Sequence, residues 1–294
     1  MSVNRRDFLV SGALAGLAAA APGGAAEAPA ERKEGVLKIS SQEGFIPGKD
    51  LAEKLDKMEK WGIEGLEVGS AIGRETSLPE ALKDRKIKVS AICMGSIGGR
   101  LVGPDKDARD KAAEDYKRHL TAAGAVGSTG VIYVPCFNGE QKLPNQEIRK
   151  ILLDTLPALG DHAAKAGTRI LLEPLNRGEA YFLRQLADAA SICRDCKSPG
   201  VCLMGDFYHM CIEEPSDMGA FLSAGKRLHH THLASRSRVL PGQDERSFVD
   251  GFRGLKYIGY QDYCSFECGC RGNRDEEIPK ACAFLRAQWD EAKI

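Results

Sequence analysis

The feature that most constrains the fold is a regular alternation of short apolar segments with longer amphipathic segments. Eight apolar segments have the length and composition of buried strands: residues 36–40, 65–69, 87–94, 130–135, 169–175, 201–206, 228–234 and 263–268. The segments with helical character are residues 50–61, 77–85, 106–126, 145–167, 181–196, 216–225, 246–259 and 275–292. Because parallel strands covered by helices on both faces are apolar throughout, this alternation predicts an α/β fold, a closed (β/α)8 TIM barrel.

An open, doubly wound sheet is the alternative for such an alternation, and it normally has a glycine-rich phosphate loop after its first strand. The first loop here reads SSQEGFIPGKD, residues 40–50, and contains no G-x-G-x-x-G motif. No low-complexity linker divides the chain after its N-terminal segment, so we predict a single barrel domain over residues 31–294.

The N-terminal segment, residues 1–30, differs in composition from the rest and is predicted to be no part of the barrel. Arg5 and Arg6 precede an apolar run, and small-residue cleavage options end at Ala26 or Ala30. The segment resembles a twin-arginine signal peptide, which implies export by the twin-arginine translocase to a periplasmic or other extracytoplasmic location. The run is too short and too rich in Ala and Gly for a transmembrane helix, so no membrane anchor is expected after cleavage. A disordered or helical tail of a cytosolic protein is the alternative.

Charge and cysteine content argue against some classes of partner and site. Lys plus Arg and Asp plus Glu each number 41, so no basic excess would attract nucleic acid or a membrane surface. The chain has ten cysteines but lacks the two well-spaced pairs that zinc sites use. We expect buried free thiols, since most of the cysteines lie in apolar segments. A disulfide between Cys193 and Cys196, or one near Cys268, is left open.

Polar residues at the ends of the last four predicted strands indicate a functional site. These residues, one for each strand, are Glu173, Asp206, His232 and Glu267. The C-terminal ends of barrel strands meet at a common mouth, and neighbouring strands lie about 5 Å apart. Three carboxylates at such range would repel one another, and a divalent cation would offset that repulsion. Oxygen donors with one imidazole suit Mn²⁺, Mg²⁺, Co²⁺ or Fe²⁺, so we predict a metal site.

The other histidines have less specific interpretations. His230 shares strand parity with His232 and is expected to point into the barrel, whereas His229 has the opposite parity and should face the helix layer. His119 and His162 lie in helical segments and are expected at packing or surface positions.

The early strands and loops offer further candidates for the mouth. These candidates are Glu43 in the first loop, Glu67 on the second strand, and Cys93 with Met94 on the third. For Glu67 we favour a salt bridge within the core, since a buried carboxylate without a partner is unfavourable.

Four motifs in the second half of the chain carry a resemblance to a known family. They are LLEPLNRGE (171–179), GDFYHM (205–210), HTHLASRSRVLPGQD (230–244) and IGYQDYCSFE (258–267). They resemble the sugar epimerase and isomerase superfamily of xylose isomerase-like barrels, and are close in motif to D-tagatose and D-psicose 3-epimerases and hydroxypyruvate isomerase. The resemblance covers residues 145–290, while the first half fits only by its alternation of strands and helices.

The resemblance implies roles for individual residues. The four strand-end residues match the metal ligands of the family, and Glu173 and Glu267 also match its pair of acid/base carboxylates. Glu179, His209 and Arg238 match groups that contact substrate oxygens. One divalent metal ion is implied, with Mn²⁺ first and Mg²⁺, Co²⁺, Fe²⁺ or Zn²⁺ as alternatives. The family usually has Gly at the position of Asp244, which leaves the shape of the seventh loop, and so the substrate, open.

The implied reaction is epimerisation or isomerisation of a keto sugar or polyol by proton transfer. The metal would bind a carbonyl and a neighbouring hydroxyl and stabilise the enediolate that forms when one carboxylate removes a proton. The second carboxylate would return the proton to the same carbon or to its neighbour. The number of subunits is left open, a homo-oligomer included.

Three other functions are alternatives to this interpretation. A metal-dependent lyase could use the same site to eliminate a group from an oxidised glycoside or an inositol-type polyol. A trinuclear zinc apurinic endonuclease would need histidines in the early strands, but none of the six histidines lies there, and DERS (244–247) replaces the expected D-x-H. A metal-loaded sugar-binding module is disfavoured by the intact pair of acids.

Overall fold

The structure is a computed structural model that describes residues 33–294. The predicted signal peptide, residues 1–30, and the first two residues of the predicted barrel domain lie outside the described residues. The strands are β1 Lys38–Gln42, β2 Gly65–Val68, β3 Lys88–Gly95, β4 Val131–Tyr133, β5 Ile170–Leu172, β6 Val201–Asp206, β7 Leu228–Leu233 and β8 Tyr263–Phe266. Each strand is parallel to the next, and β1 pairs with β8, which closes the sheet. The predicted (β/α)8 barrel is therefore confirmed.

The described part of the chain also contains nine α-helices. They are α1 Leu51–Trp61, α2 Ser77–Leu82, α3 Lys106–Ala125, α4 Asn145–Lys165, α5 Leu186–Cys196, α6 Phe207–Glu213, α7 Asp217–Ala224, α8 Val249–Ile258 and α9 Arg274–Glu291. Eight of them correspond to the predicted helical segments, and α6 was not predicted. None of these helices has the length and apolar character needed to cross a membrane.

Local chemistry accounts for the helix boundaries that the sequence predicted well. The side chain of Asp50 accepts a hydrogen bond from the Glu53 backbone N–H at 2.9 Å and so begins α1. Gly62 ends the same helix with a φ of 69°, in the left-handed region that glycine adopts without strain. Gly167, with a φ of 78°, follows α4 in the same manner.

Two segments differ from their predicted bounds, and each difference affects the site. Strand β1 begins and ends two residues later than predicted, so Gln42 is its last residue. Helix α5 begins at Leu186 rather than at residue 181, because Gln185 is extended, with φ −121° and ψ 147°. The residues before it form a loop instead, in which the carbonyl of Leu183 accepts a hydrogen bond from the backbone N–H of Leu175.

The interior of the barrel consists of two chemically different halves. On β3 to β6 the buried cluster inside the barrel is apolar and consists of Ala91, Ile132, Leu171, Cys202 and Met204; we call it the apolar half. On β1, β2, β7 and β8 the fully buried interior residues are polar and include Ser40, Glu67, His230, His232 and Ser265; we call them the polar half. A larger apolar core lies between the barrel and the helices and includes Phe207, Phe248 and Phe252.

Candidate active site

The four predicted metal ligands lie together at the C-terminal mouth of the barrel. One donor atom from each of Glu173, Asp206, His232 and Glu267 lies within 4.8 Å of the others. The Nδ1 atom of His232 is central to the group: it lies 3.2 Å from Glu267 Oε2, 3.5 Å from Glu173 Oε1 and 4.0 Å from Asp206 Oδ2. The prediction that consecutive strand ends bring these residues together therefore agrees with the structure.

Asp206 divides its two oxygens between a structural contact and the cluster. Its Oδ1 accepts a hydrogen bond from the Tyr208 backbone N–H at 2.7 Å and begins α6 as an N-cap. Its Oδ2 is buried and has no hydrogen-bond partner among the described residues. Asp206 therefore acts as a helix cap through one oxygen and leaves the other available for a ligand role.

The electrostatics of the cluster reflect crowded negative charge. Burial, together with the nearby Glu267 and Glu173, raises the pKa of Asp206 to about 8. Burial also raises the pKa of Glu173. For Glu267 burial acts in the same direction, but His232 and Arg238 outweigh it and hold the pKa at about 2. Burial alone would lower the pKa of His232, yet the surrounding carboxylates raise it well above its usual value.

These observations fit a divalent cation. The described carboxyls at the cluster outnumber the cationic groups that face them, His232 and Arg238. Two buried polar atoms, Asp206 Oδ2 and His232 Nδ1, lack a hydrogen-bond partner within the described residues. Three carboxylate oxygens and one imidazole nitrogen form a donor set that Mn²⁺, Mg²⁺, Fe²⁺, Co²⁺ or Zn²⁺ accepts. Glu173, Asp206, His232 and Glu267 could therefore hold one ion.

Arg238 joins the cluster to the loop after β5. Its Nη2 donates to Glu267 Oε2 at 3.0 Å, and its Nη1 donates to Glu179 Oε1 at 3.1 Å. The guanidinium also lies 4.6 Å from the centre of the Tyr208 ring, a cation–π distance. Its backbone has a φ of 52°, which is uncommon for a residue with a side chain and indicates local strain at the site.

His209 reaches the mouth from α6, the helix that the sequence did not predict. The backbone N–H of Asn176 donates to its Nδ1 at 3.2 Å, so the ring proton belongs on Nε2. That Nε2 atom is buried, lies 3.5 Å from Asp206 Oδ2 and has no hydrogen-bond partner in the described structure. Burial and then the positive charge of Arg238 lower the pKa of His209 to about 3. His209 is therefore a neutral hydrogen-bond donor that faces the cluster.

Asp244, the departure from the family pattern, has a defined role in the seventh loop. Its Oδ2 accepts hydrogen bonds from the Ser235 hydroxyl and the Ser237 backbone N–H, both at 2.8 Å. Its Oδ1 accepts from the backbone N–H of Arg246 at 3.0 Å. Because Arg238 lies within this loop, Asp244 holds the backbone that carries the guanidinium to the cluster.

One residue of the site was missed in the sequence. The side-chain nitrogen of Gln42 donates to Glu67 Oε1 at 2.9 Å and to Glu267 Oε1 at 3.0 Å. Strand β1 was predicted to end at residue 40. Every second residue of a strand faces the same side, so extending β1 by two residues would have indicated Gln42. Cys93, which was a candidate for the mouth, lies 3.8 Å from Glu267 Oε1.

Glu67 is paired in the core, as predicted. Its Oε2 atom accepts hydrogen bonds from Nε2 of His230 at 2.8 Å and from Nε2 of His232 at 3.1 Å. His230 is fully buried inside the barrel, which confirms the parity argument. Glu43, a further early candidate, forms an ion pair with Arg74 at 2.7 Å.

His162 and the cysteines agree with their predictions. His229 pairs with Asp262 at 2.8 Å. Because the register of β6 and β7 shifts between Leu228 and His230, strand parity does not place the His229 side chain, and its hydrogen bond with Cys202 of the interior cluster argues against the predicted orientation towards the helix layer. His162 lies on α4 and contacts Thr121 of α3 at 2.9 Å, a packing position. All ten cysteines are free thiols, so the disulfide that was left open between Cys193 and Cys196 is not formed.

The model of the xylose isomerase-like TIM barrel family matches residues 55–288 of the chain. The chain belongs to this family. The match spans seven of the eight strands and all four residues of the metal-type cluster.

Curated relatives of the chain are epimerases and isomerases. The chain is 28% identical over 244 residues to 3-dehydro-D-guloside 4-epimerase of Escherichia coli, covering 79% of this chain and 92% of the relative. It is 25% identical over 230 residues to D-psicose 3-epimerase of Enterocloster bolteae, covering 72% of this chain and 74% of the relative. The protein is thus an enzyme of the isomerase class.

Solved structures show the same architecture. Apo 3-keto-D-glucoside 4-epimerase from E. coli superimposes with a TM-score of 0.76 at 27% identity, over 86% of this chain and all of that one. A structure described as IolI protein with a bound zinc atom superimposes with a TM-score of 0.70 at 20% identity, over 87% of this chain and 98% of that one. At that identity, the second match supports the fold alone.

Proposed function

We propose that the protein is a divalent-metal-dependent epimerase or isomerase of keto sugars or keto-glycosides that works by proton transfer. The observation that carries the proposal is the buried cluster of Glu173, Asp206, His232 and Glu267 around two polar atoms without partners. Relatives that act on a 3-dehydro-guloside and on D-psicose support a carbonyl-bearing sugar as the substrate class.

The metal and the protein would make separate contributions to the reaction. A divalent ion held by the four-residue cluster would supply Lewis-acid polarisation of a substrate carbonyl and its neighbouring hydroxyl. The carbon that bears this hydroxyl, next to the carbonyl, would then be acidic enough for a carboxylate at hydrogen-bond distance to remove its proton.

Two glutamates are placed to move that proton. Glu173 follows β5 and Glu267 follows β8, so they approach the cluster from strands three positions apart around the barrel. One would remove the proton, and the other would deliver a proton from its own side. Delivery to the same carbon inverts its configuration, and delivery to the adjacent carbon gives the aldose–ketose isomer.

Neighbouring groups would stabilise the charge that develops on the substrate oxygens. The Nε2–H of His209 is a neutral donor without a partner among the described residues, and the guanidinium of Arg238 lies beside Glu267. Both groups are held in place before substrate arrives, His209 by Asn176 and the Arg238 loop by Asp244.

Solvent isotope exchange provides the test. The protein would be incubated in deuterated water, with Mn²⁺ or Zn²⁺, with a panel of ketoses, 3-keto-glycosides and inososes. We expect one deuterium at a single carbon of a responsive substrate, with a product of unchanged elemental composition. A Glu267→Gln variant should lose about 10²–10⁴-fold in rate, because proton transfer by a positioned carboxylate contributes that much.

The matched control is Glu43→Gln, which removes a glutamate at the same mouth that pairs with Arg74 instead of joining the cluster. An unsaturated or cleaved product would show elimination and so a lyase. Full activity of Glu267→Gln, or no exchange with any of the substrates, would contradict the proposal.

We further propose that residues 1–30 direct export through the twin-arginine route, which rests on the sequence pattern around Arg5 and Arg6 alone. Replacing both arginines with lysine should leave the protein in the cytoplasm of a suitable bacterial host. Equal extracytoplasmic amounts of the two forms would contradict export by this route.

A further inference from the structure

The two ring nitrogens of His232 face different surroundings. Its Nδ1 faces the three carboxylates of the cluster and has no hydrogen-bond partner in the described residues. Its Nε2 points in the opposite direction, into the barrel, and lies 3.1 Å from Glu67 Oε2. The orientation of this imidazole is therefore defined by a contact that is not part of the cluster.

Glu67 is itself held on both of its oxygens. Its Oε1 accepts from the Gln42 side chain at 2.9 Å, and its Oε2 accepts from His230 at 2.8 Å as well as from His232. The carboxylate is fully buried at the centre of the polar half. Because a buried carboxylate accepts and cannot donate, the nitrogen of His232 that faces it must carry a proton.

This arrangement has a consequence for the cluster. A neutral imidazole carries one N–H, so a carboxylate that keeps the proton on Nε2 leaves the lone pair of Nδ1 available to a cation. A hydrogen bond from the far nitrogen of a ligating histidine to a carboxylate also fixes the ring and increases its basicity.

We propose that Glu67 is a positioning residue that holds His232 with its proton on Nε2 and its Nδ1 directed at the metal ion. This inference rests on the proposed function, since it assigns the ion to the cluster of Glu173, Asp206, His232 and Glu267. It extends the site across the barrel from β7 to β2, over 165 residues of sequence.

The same contacts could instead indicate a second ion, since Glu67, His230 and His232 bring three donor atoms within 4.8 Å. Two observations favour hydrogen bonds. The separations of 2.8 and 3.1 Å are those of N–H···O contacts. In addition, both oxygens of Glu67 already have donors, whereas the proposed metal cluster contains an oxygen without a partner, Asp206 Oδ2.

The test measures metal binding rather than turnover. Affinity and stoichiometry for Mn²⁺ and Zn²⁺ would be determined by calorimetry on the wild-type protein and on Glu67→Ala and Glu67→Gln variants. The matched control is Ser90→Ala, which removes a different buried hydrogen bond of the barrel interior, the 2.6 Å contact with Ser40. Thermal unfolding of each metal-free variant would separate loss of stability from loss of affinity.

We expect one ion per chain, and metal affinity about 10–100-fold weaker in Glu67→Ala. Glu67→Gln should show a smaller loss, because Gln42 and the two imidazoles compete for its single acceptor oxygen. Ser90→Ala should lose stability but keep its affinity within about twofold. Activity of Glu67→Ala should recover at high metal concentration, which no loss of an acid/base group would allow.

A second readout is spectroscopic and applies to both Glu67 variants. In the zinc-loaded protein with ¹⁵N-labelled histidine, His232 should show a protonated Nε2 and a metal-bound Nδ1. In Glu67→Ala the Nε2 proton should exchange rapidly with water.

Several results would overturn the inference. An unchanged affinity and an unchanged His232 spectrum in a folded Glu67 variant would show that Glu67 has only a structural role. A stoichiometry of two ions that falls to one in Glu67→Ala would make Glu67 a ligand of a second ion. If the wild-type protein bound no divalent ion at all, the proposed function would fail first, which distinguishes the two outcomes.

Discussion

The apolar and polar halves of the barrel interior use the same backbone for different purposes. In the apolar half, side chains such as Ile132 and Leu171 are fully buried and make only packing contacts with one another. In the polar half, the fully buried Glu67 and His230 form hydrogen bonds that lead towards the mouth. Burial of an aliphatic side chain contributes about 1.5–3 kcal/mol, whereas a buried hydrogen bond contributes about 0.5–1.5 kcal/mol net.

The difference indicates how the fold separates stability from chemistry. The polar half buries less apolar side-chain surface, but it forms hydrogen bonds that have defined directions. Those directions orient His232 and Glu267, which lie at the mouth above β7 and β8. The strands of the apolar half fill the remaining barrel volume and contribute two residues to the cluster, Glu173 at the end of β5 and Asp206 at the end of β6.

The largest effect that would test this separation is a cavity in the apolar half. Ile132→Ala removes a fully buried side chain, and we expect it to reduce the free energy of unfolding by about 3 kcal/mol. Metal affinity and kcat should stay within about twofold of wild type at temperatures where the variant is folded. Chemical denaturation and calorimetric metal titration would measure the two quantities.

Ser265→Ala is the matched variant in the polar half. The Ser265 hydroxyl is buried and has no hydrogen-bond partner in the described structure, so its removal should change stability by less than about 1 kcal/mol. Should Ile132→Ala weaken metal binding tenfold while folded, the two halves would not be independent.

A second, smaller effect concerns Arg238, whose guanidinium lies beside Glu267 at the mouth of the barrel. Arg238→Lys keeps the positive charge but loses the fork that joins Glu179 to Glu267 and the contact with Tyr208. We expect kcat/KM to fall about 10–100-fold, which corresponds to the loss of charged hydrogen bonds, with stability nearly unchanged. Steady-state kinetics on the substrate found by isotope exchange would measure the change.

Arg74→Lys is the control for Arg238, since it alters an arginine that pairs with Glu43 in the first loop. Equal losses in the two variants would show that Arg238 acts through general charge at the mouth and not through its contacts to Glu179 and Glu267.

The sequence predicted the strands, the helices and the strand-end residues, because these features follow from patterns among neighbouring residues. The alternation of strands and helices gave all eight units, because strand and helix periodicity depend on neighbouring residues. Strand-end positions and parity then brought Glu173, Asp206, His232 and Glu267 together, since consecutive parallel strands are adjacent in space.

What sequence missed depends on contacts between distant residues. A core partner was predicted for Glu67, but its identity was not: His230 and His232 join β2 to β7 across the barrel, and no local pattern specifies which residues meet there. Gln42 was missed because β1 was predicted to end two residues early. Helix α6 has only seven residues and begins inside the motif GDFYHM, too short a segment for helical spacing to be detected.

The smallest expected effect concerns His229 of β7 and depends on pH. Burial lowers the pKa of His229, but its hydrogen bonds with Asp262 and Cys202 outweigh this and raise the value to about 9. Because the folded-state pKa lies above the unfolded value of about 6.5, the pair stabilises the fold fully below that pH. This stabilisation is lost as pH rises through about 9.

We expect the wild-type protein to lose about 1–2 kcal/mol more than a His229→Gln variant between pH 6.5 and 9.5, as measured by chemical denaturation. Metal affinity at fixed pH should be the same in both proteins, because His229 lies near the N-terminal end of β7, whereas the cluster lies at the C-terminal mouth. Parallel pH profiles of stability would show that the pair contributes nothing, and a change in metal affinity would show that His229 acts on the cluster.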